Sequence, residues 1–180
     1  MRKKLIFDSR QLDITLDRLV QQLIEIHGNF EQTVILGLQP RGVFLATSIH
    51  KRLKKILKKD IPLGWLDVTF HRDDFRRREI PAKASETRLD FVIEGKKVIL
   101  IDDVLFTGRT VRSALDAMLS FGRPEKVELL VLIDRVHTRD LPIAADYIGK
   151  KVDTLESQKI LVEIEGSGNK QNRIWLTTNT

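Results

Sequence analysis

The chain contains no cysteine, so neither a disulfide nor a thiolate-bound metal can contribute to its fold or chemistry. No apolar run approaches the roughly 20 residues of a membrane-spanning helix. Met1-Arg2-Lys3-Lys4 is basic, but the apolar stretch of a secretory signal does not follow it. A cytoplasmic protein with no membrane partner is the expectation. Also missing are Gly-x-x-x-x-Gly-Lys and any Gly-x-Gly-x-x-Gly after a strand, the two common glycine-rich nucleotide motifs. No internal repeat and no linker divides the 180 residues. That length suits one domain, 1–180, with a core of its own.

What is present reads as globular: 42% of residues are apolar and 31% charged. The formal net charge of +6 favours anionic partners such as phosphates, nucleotides or RNA, and serves general solubility equally well.

Asp8 caps a helix and Gln11 completes a capping box. Leu12, Leu16, Leu19, Val20, Leu23 and Ile24 then recur at helical spacing until Gly28-Asn29. Residues 34–38 form a short buried strand, and Gln39-Pro40-Arg41-Gly42 turns into a second helix. Val43, Phe44, Ile49, Leu53, Ile56 and Leu57 face inward there, with Lys51, Arg52, Lys54, Lys55, Lys58 and Lys59 outward. A strand is predicted from Trp65 to about His71. The charged stretch 72–90 is too long for an ordinary connector and reads as a mobile lid. A strand at Lys97–Ile101, a helix at about 110–120 closed by Gly122 and Pro124, and a strand at 127–133 follow. Short strands are predicted at 147–148, 160–164 and 174–176. Strands alternating with helices specify an α/β fold, a Rossmann-like parallel sheet flanked by helices. Ligands of such sheets bind beyond the strands' carboxyl ends.

The most informative segment is Val98-Ile-Leu-Ile-Asp-Asp-Val-Leu-Phe-Thr-Gly-Arg-Thr110. A buried strand leads into two acids, Asp102 and Asp103. Val104, Leu105 and Phe106 come next, then Thr107-Gly108-Arg109-Thr110 opens a helix. A helix N-terminus suits a phosphate dianion. Gly108 allows close approach, and the threonines add hydroxyl donors. Taken alone, this turn reads more readily as a plain strand-to-helix connection with a threonine cap. The acids change that, because carboxylates at the end of a buried strand need a partner. Ribose hydroxyls or hydrated Mg²⁺ would supply one.

Residues 98–110 resemble the phosphoribosyl-pyrophosphate signature of type I phosphoribosyltransferases. The resemblance implies a Rossmann-like core with a small hood. It implies that Asp102 and Asp103 hold the ribose hydroxyls, with Mg²⁺ held indirectly, and that Thr107–Thr110 hold the 5′-phosphate. It further implies a pyrophosphate loop at Pro40, Arg41 and Gly42, where Arg41 gives planar multi-donor contact, and a lid contact from Arg72. Thr69–Asp74, Asp134-Arg135 and Leu141–Lys150 extend the similarity to the pyrimidine regulatory family, PyrR type, over nearly the whole chain. That family combines uracil phosphoribosyltransferase activity, giving UMP, with RNA-binding attenuation. By resemblance Arg135 lies near the nucleotide pocket, relatives form homo-oligomers, and RNA contacts fall on Arg18, Arg139 and Lys150. Asp17 and Ala144 stand where RNA-binding members carry threonine and a basic residue. Losing cations and gaining an acid weakens RNA affinity, so the enzyme reading ranks above a UMP-sensing attenuator. A purine or orotate phosphoribosyltransferase is the other alternative.

Overall fold

A computed structural model describes residues 2–69, 86–164, 166–168 and 172–178. Five parallel strands form the central sheet: β2 (Thr33–Leu38), β3 (Leu63–Leu66), β4 (Lys97–Leu105), β5 (Lys126–Val136) and β6 (Tyr147–Asp153), in the order β3-β2-β4-β5-β6. Helices α1 (Ser9–His27) and α2 (Gly42–Leu57) cover one face, and α3 (Arg109–Met118) covers the other. β1 (Arg2–Phe7), β7 (Gln158–Glu163) and β8 (Arg173–Thr178) build a separate antiparallel sheet in the order β1-β8-β7. No helix among the described residues is long and apolar enough to cross a membrane.

Patterning explains the layers. β2 is buried along its whole length, as expected of a strand covered on both faces. Ile35, Ile99 and Ile101 join Leu45, Ile49 and Leu53 of α2 and the leucine stripe of α1 in one core. Val34, Leu36, Val98 and Leu100 pack with Val111, Ala114 and Met118 of α3 in the other. The predicted capping box of α1 is present: Gln11 N donates to Asp8 Oδ1 at 2.8 Å, and Asp8 N donates to Gln11 Oε1 at 3.2 Å. α1 ends at Gly28, which takes a φ of +58°.

Several expectations need correction. β1 departs from the sequence reading: its first four residues, Arg2-Lys3-Lys4-Leu5, are exposed and three of them are basic, with no alternation to mark a strand. β3 starts two residues before the predicted strand and overlaps it only at Trp65 and Leu66; residues 67–69 are not in a strand, and 70–71 lie outside the described residues. β4 runs through both acids to Leu105, since β5 pairs with it as far as Leu105↔Asp134; a sequence reading stops at the first buried charge. Ile56 is 48% exposed. The apolar stripe of α2 runs out in its last turn, where Leu57 alone still packs on the core. The predicted lid lies outside the described residues over 72–85, as does Arg72. Within its remainder, the backbones of Arg88 and Trp65 exchange hydrogen bonds of 2.9 and 2.8 Å.

Where the strands begin, a buried polar cluster joins α1 to the sheet. The His27 ring lies 2.7 Å from Glu128 Oε2, 3.0 Å from the Tyr147 hydroxyl and 3.1 Å from Thr33 Oγ1. Tyr147 donates to the same Glu128 oxygen at 3.0 Å, and Lys126 donates to the other. Burial holds the His27 imidazole below its ordinary value of 6.5, outweighing the pull of Glu128. Burial opposes ionisation of Glu128, but hydrogen bonds from Lys126 and Tyr147 and the charges of His27 and Lys126 hold its carboxyl low. Both groups bind protons more readily in the unfolded chain, so stability is full near pH 7 and falls as pH drops below 6.5 and then through the acidic range. A lower melting temperature at pH 5 than at pH 7 is expected by thermal denaturation. His27→Gln should flatten the part of that loss lying between pH 6.5 and 5.

Candidate active site

Because the sheet is parallel, the carboxyl ends of β2, β4 and β5 open on one edge. There they enclose a cleft of about 430 Å³ lined by Gln39 to Arg41, Asp102 to Gly108, Thr110, Val111 and Arg135, a volume suited to a small-molecule ligand. The two loops singled out by sequence therefore come together in space. Gly42 shows how tightly: a Cβ there would sit 2.4 Å from the Ile101 carbonyl oxygen and 3.0 Å from Asp102 Cα, so only glycine lets the first loop approach the acids.

Of the three α-helices among the described residues, α2 and α3 start at this cleft. α1 carries a side-chain cap from Asp8, whereas the N-cap residues of α2 and α3, Arg41 and Gly108, make no side-chain cap hydrogen bond; none of the three has an acid in its first turn. The N-terminal partial charges of α2 and α3 open on the cleft and its two acids, Asp102 and Asp103. Gly108, the residue preceding α3, has a φ of +91°, a left-handed conformation that favours glycine.

The acids are buried, Asp102 at 9% exposure and Asp103 at 3%. Each turns one oxygen back on the chain: Asp103 N donates to Asp102 Oδ1 at 2.9 Å, and Val104 N donates to Asp103 Oδ1 at 2.8 Å. Asp103 Oδ2 is buried without a hydrogen-bond partner among the described residues. Arg41 Nε lies 3.2 Å from it, an ionic contact that lacks hydrogen-bond alignment. Burial, then the neighbouring Asp103, push the Asp102 carboxyl well above the usual carboxylate range. A buried acceptor lacking a donor, beside a carboxyl that ionises reluctantly, is a site prepared for hydroxyl donors or a cation.

Arg135 is 5% exposed and turns inward, its Nε donating to Thr154 Oγ1 at 2.8 Å and its Nη2 to the Leu155 carbonyl at 3.3 Å. Its guanidinium stacks 3.8 Å above the Phe106 ring. Val104 and Leu105 belong to β4, and Leu105 is packed in the core, so their contribution to a ligand would come from the backbone. Arg109 pairs with Asp140 at 3.0 Å. Of the cations assigned by resemblance to RNA, Arg18 Nη2 donates to the Ile148 and Gly149 carbonyls (3.2 and 2.6 Å). Lys150 lies 5.2 Å over the Phe7 ring. Arg139 pairs with Asp134 and donates to the carbonyls of Phe106, Arg135 and Ile143. Asp17 pairs with Arg52 of α2.

Sequence reasoning missed two sets of residues. Lys159 and Ile160 of β7 reach the cleft from the antiparallel sheet, a juxtaposition no local pattern announces. Asp140 N and Leu141 N donate to the Thr107 carbonyl at 3.0 and 3.2 Å, so the segment after β5 backs the loop before α3.

The model for the phosphoribosyl transferase domain matches residues 4–165. A protein named "Bifunctional protein pyrR" from Enterococcus faecalis is 43% identical over 165 residues, covering 92% of both chains. A "Bifunctional protein PyrR" from Caldicellulosiruptor bescii is 43% identical over 171 residues, covering 95% of this chain and 93% of that one. Among solved structures, a hypoxanthine-guanine phosphoribosyltransferase from Bacillus anthracis superposes with a TM-score of 0.70 at 18% identity, covering 97% of this chain and 98% of the other. The hypoxanthine phosphoribosyltransferase of Trypanosoma cruzi gives 0.71 at 13% identity, over 98% and 97%.

Proposed function

Since this chain belongs to the phosphoribosyltransferase family, among the PyrR proteins, we propose that it transfers ribose 5-phosphate from phosphoribosyl pyrophosphate to uracil, giving UMP and pyrophosphate. The observation that carries this reading is the meeting of the N-termini of α2 and α3 with a buried pair of acids in one cleft. One terminus suits the 5′-phosphate and the other the diphosphate, and the acids between them suit the ribose hydroxyls.

In this reading Thr107–Thr110 fix the 5′-phosphate, and Asp102 and Asp103 fix the sugar by its 2′ and 3′ hydroxyls. Arg41 and the start of α2 stabilise charge on the departing diphosphate; Arg72, outside the described residues, is the further cation assigned to it by resemblance. Orientation and charge stabilisation then suffice, with the C1–O bond loosening before a uracil ring nitrogen attacks C1 from the opposite face. Mg²⁺ fits the donor set: Asp103 Oδ2 accepts no hydrogen bond among the described residues, and Mg²⁺ typically takes one or two carboxylates plus substrate oxygens. Bound there, it would neutralise diphosphate charge.

A panel of nucleobases assayed with phosphoribosyl pyrophosphate, with and without Mg²⁺, tests the proposal. Pyrophosphate release that depends on uracil and Mg²⁺ is expected. Release driven by hypoxanthine, guanine or orotate instead would replace uracil with that base. The bifunctional name of the relatives favours a second activity, RNA-dependent control of pyrimidine genes, with Arg18, Arg139 and Lys150 as its cations. Arg18 and Arg139 already serve backbone carbonyls, which supports ranking the transferase first. Salt-dependent binding of a pyrimidine-operon leader, lost in Arg18→Ala, would support the second.

A further inference from the structure

The net charge of this protein resides in one place. Residues 51–59 read Lys-Arg-Leu-Lys-Lys-Ile-Leu-Lys-Lys, six cations with no acid. The chain holds 31 Lys and Arg against 25 Asp and Glu, a formal charge of +6, so outside this run the two signs balance. The run forms the C-terminal half of α2 and the residues just after it. Its far end lies about 20 Å along the helix from Gly42, which opens on the cleft.

Part of this charge is met internally. Arg52 pairs with Asp13 and Asp17 of α1, Lys54 pairs with Asp60 at 2.8 Å, and Lys59 donates to the Asn29 carbonyl at 3.3 Å. Lys51, Lys55 and Lys58 are exposed and have no ion pair among the described residues. Lys51 and Lys55 are neighbours one helical turn apart on α2, and like charges at that spacing repel; Lys58 follows as the left-handed cap residue of the helix. A solvated helix face ordinarily interleaves acids at these positions. A helix C-terminus favours some positive charge, which accounts for Lys54 and Lys55 in the last turn but not for Lys51 one turn earlier.

We propose that the exposed lysine patch at the C-terminal end of α2, Lys51 and Lys55 on the helix with the cap residue Lys58, docks the phosphate backbone of a nucleic acid, outside and independently of the nucleotide cleft. A row of point charges along a rigid helix matches a regularly repeating polyanion. The only arginine in the run is occupied by two aspartates, and the run contains no aromatic residue to stack a base, so contact is to phosphates without sequence reading. A membrane surface fits less well. The apolar stripe of α2 is spent on the core, leaving Ile56 alone among the lysines.

The test compares the wild type with the triple variant K51E/K55E/K58E. The ligands are a labelled 20-nucleotide single-stranded RNA, a DNA duplex of the same length, and vesicles of phosphatidylcholine with phosphatidylserine, over a range of salt. The wild type should bind nucleic acid at low salt. The variant should lose about tenfold or more in affinity, with a log–log salt slope on RNA shallower by about 2, near 0.7 per lost contact. Its kcat and KM in the transferase assay should be unchanged, which separates this surface from the cleft. Binding of RNA alone, or of RNA and duplex alike, identifies the source and supports the proposal. No binding by the wild type, equal binding by the variant, or binding of vesicles in place of nucleic acid would overturn it. Arg18→Ala should leave this non-specific binding intact, so the outcome is distinct from that of the leader-RNA experiment.

Discussion

Replacing Asp102 and Asp103 together by asparagine should lower kcat/KM for phosphoribosyl pyrophosphate by about 10²- to 10³-fold, equivalent to about 3–4 kcal/mol of transition-state stabilisation. The amide retains the volume of each carboxyl and removes the charge that ribose hydroxyls and a hydrated cation would meet. The stability readout should move the other way. A carboxyl whose folded pKa is raised, as at Asp102, costs stability at pH values above its ordinary 3.8, and the cost grows until pH passes the folded value. Asp102→Asn alone should therefore raise the melting temperature of the unliganded protein at pH 7 while reducing activity. Such a pairing marks a group retained for function at the expense of stability. Lower activity together with a lower melting temperature would instead make Asp102 part of the scaffold.

The second large effect is expected at Gly108. Its φ of +91° is strained for any side chain, and a Cβ there would lie 3.0 Å from Ile143 Cγ1. Gly108→Val adds a β-branched residue in that left-handed position, costing about 1–2 kcal/mol from backbone strain alone, and pushes the loop off its backing segment. Binding of phosphoribosyl pyrophosphate, measured by calorimetry, should weaken about 100-fold or more, as expected when positioning of a bound group is lost. Gly28→Ala serves as the control. Gly28 is also left-handed, with a φ of +58° and open space around its Cβ position, but it ends α1 away from the cleft. It should lower stability and leave ligand affinity unchanged. Equal loss of affinity in both variants would show that general destabilisation, rather than loop geometry, governs binding.

Local signals carried much of this architecture. The capping box at Asp8 and Gln11, the buried run of β2 and the Thr107–Thr110 turn were legible because each rests on contacts a few residues apart. The joining of Arg41 to Asp103 was foreseen only as two loops at strand ends; parallel pairing of β2 with β4 brings them to 3.2 Å. The run of β4 through two acids was not legible, because a strand reading penalises buried charge and cannot see that a cleft receives it. Nor was the role of Lys159, which depends on β7 folding over the cleft from a separate sheet. Arg135, placed near the nucleotide pocket by resemblance, and Arg139, placed toward RNA by resemblance, are both engaged by carbonyl or hydroxyl acceptors of the chain, supplied by a chain path that charge alone does not reveal.

The central claim is that the segment from Asp102 to Thr110 receives a phosphorylated ribose. A crystal structure of the complex with UMP tests it most directly. The account predicts the phosphate within hydrogen-bond distance of the backbone N–H groups of Thr107 to Thr110, and the ribose hydroxyls against Asp102 and Asp103. A UMP molecule bound elsewhere, with this cleft empty, would contradict it.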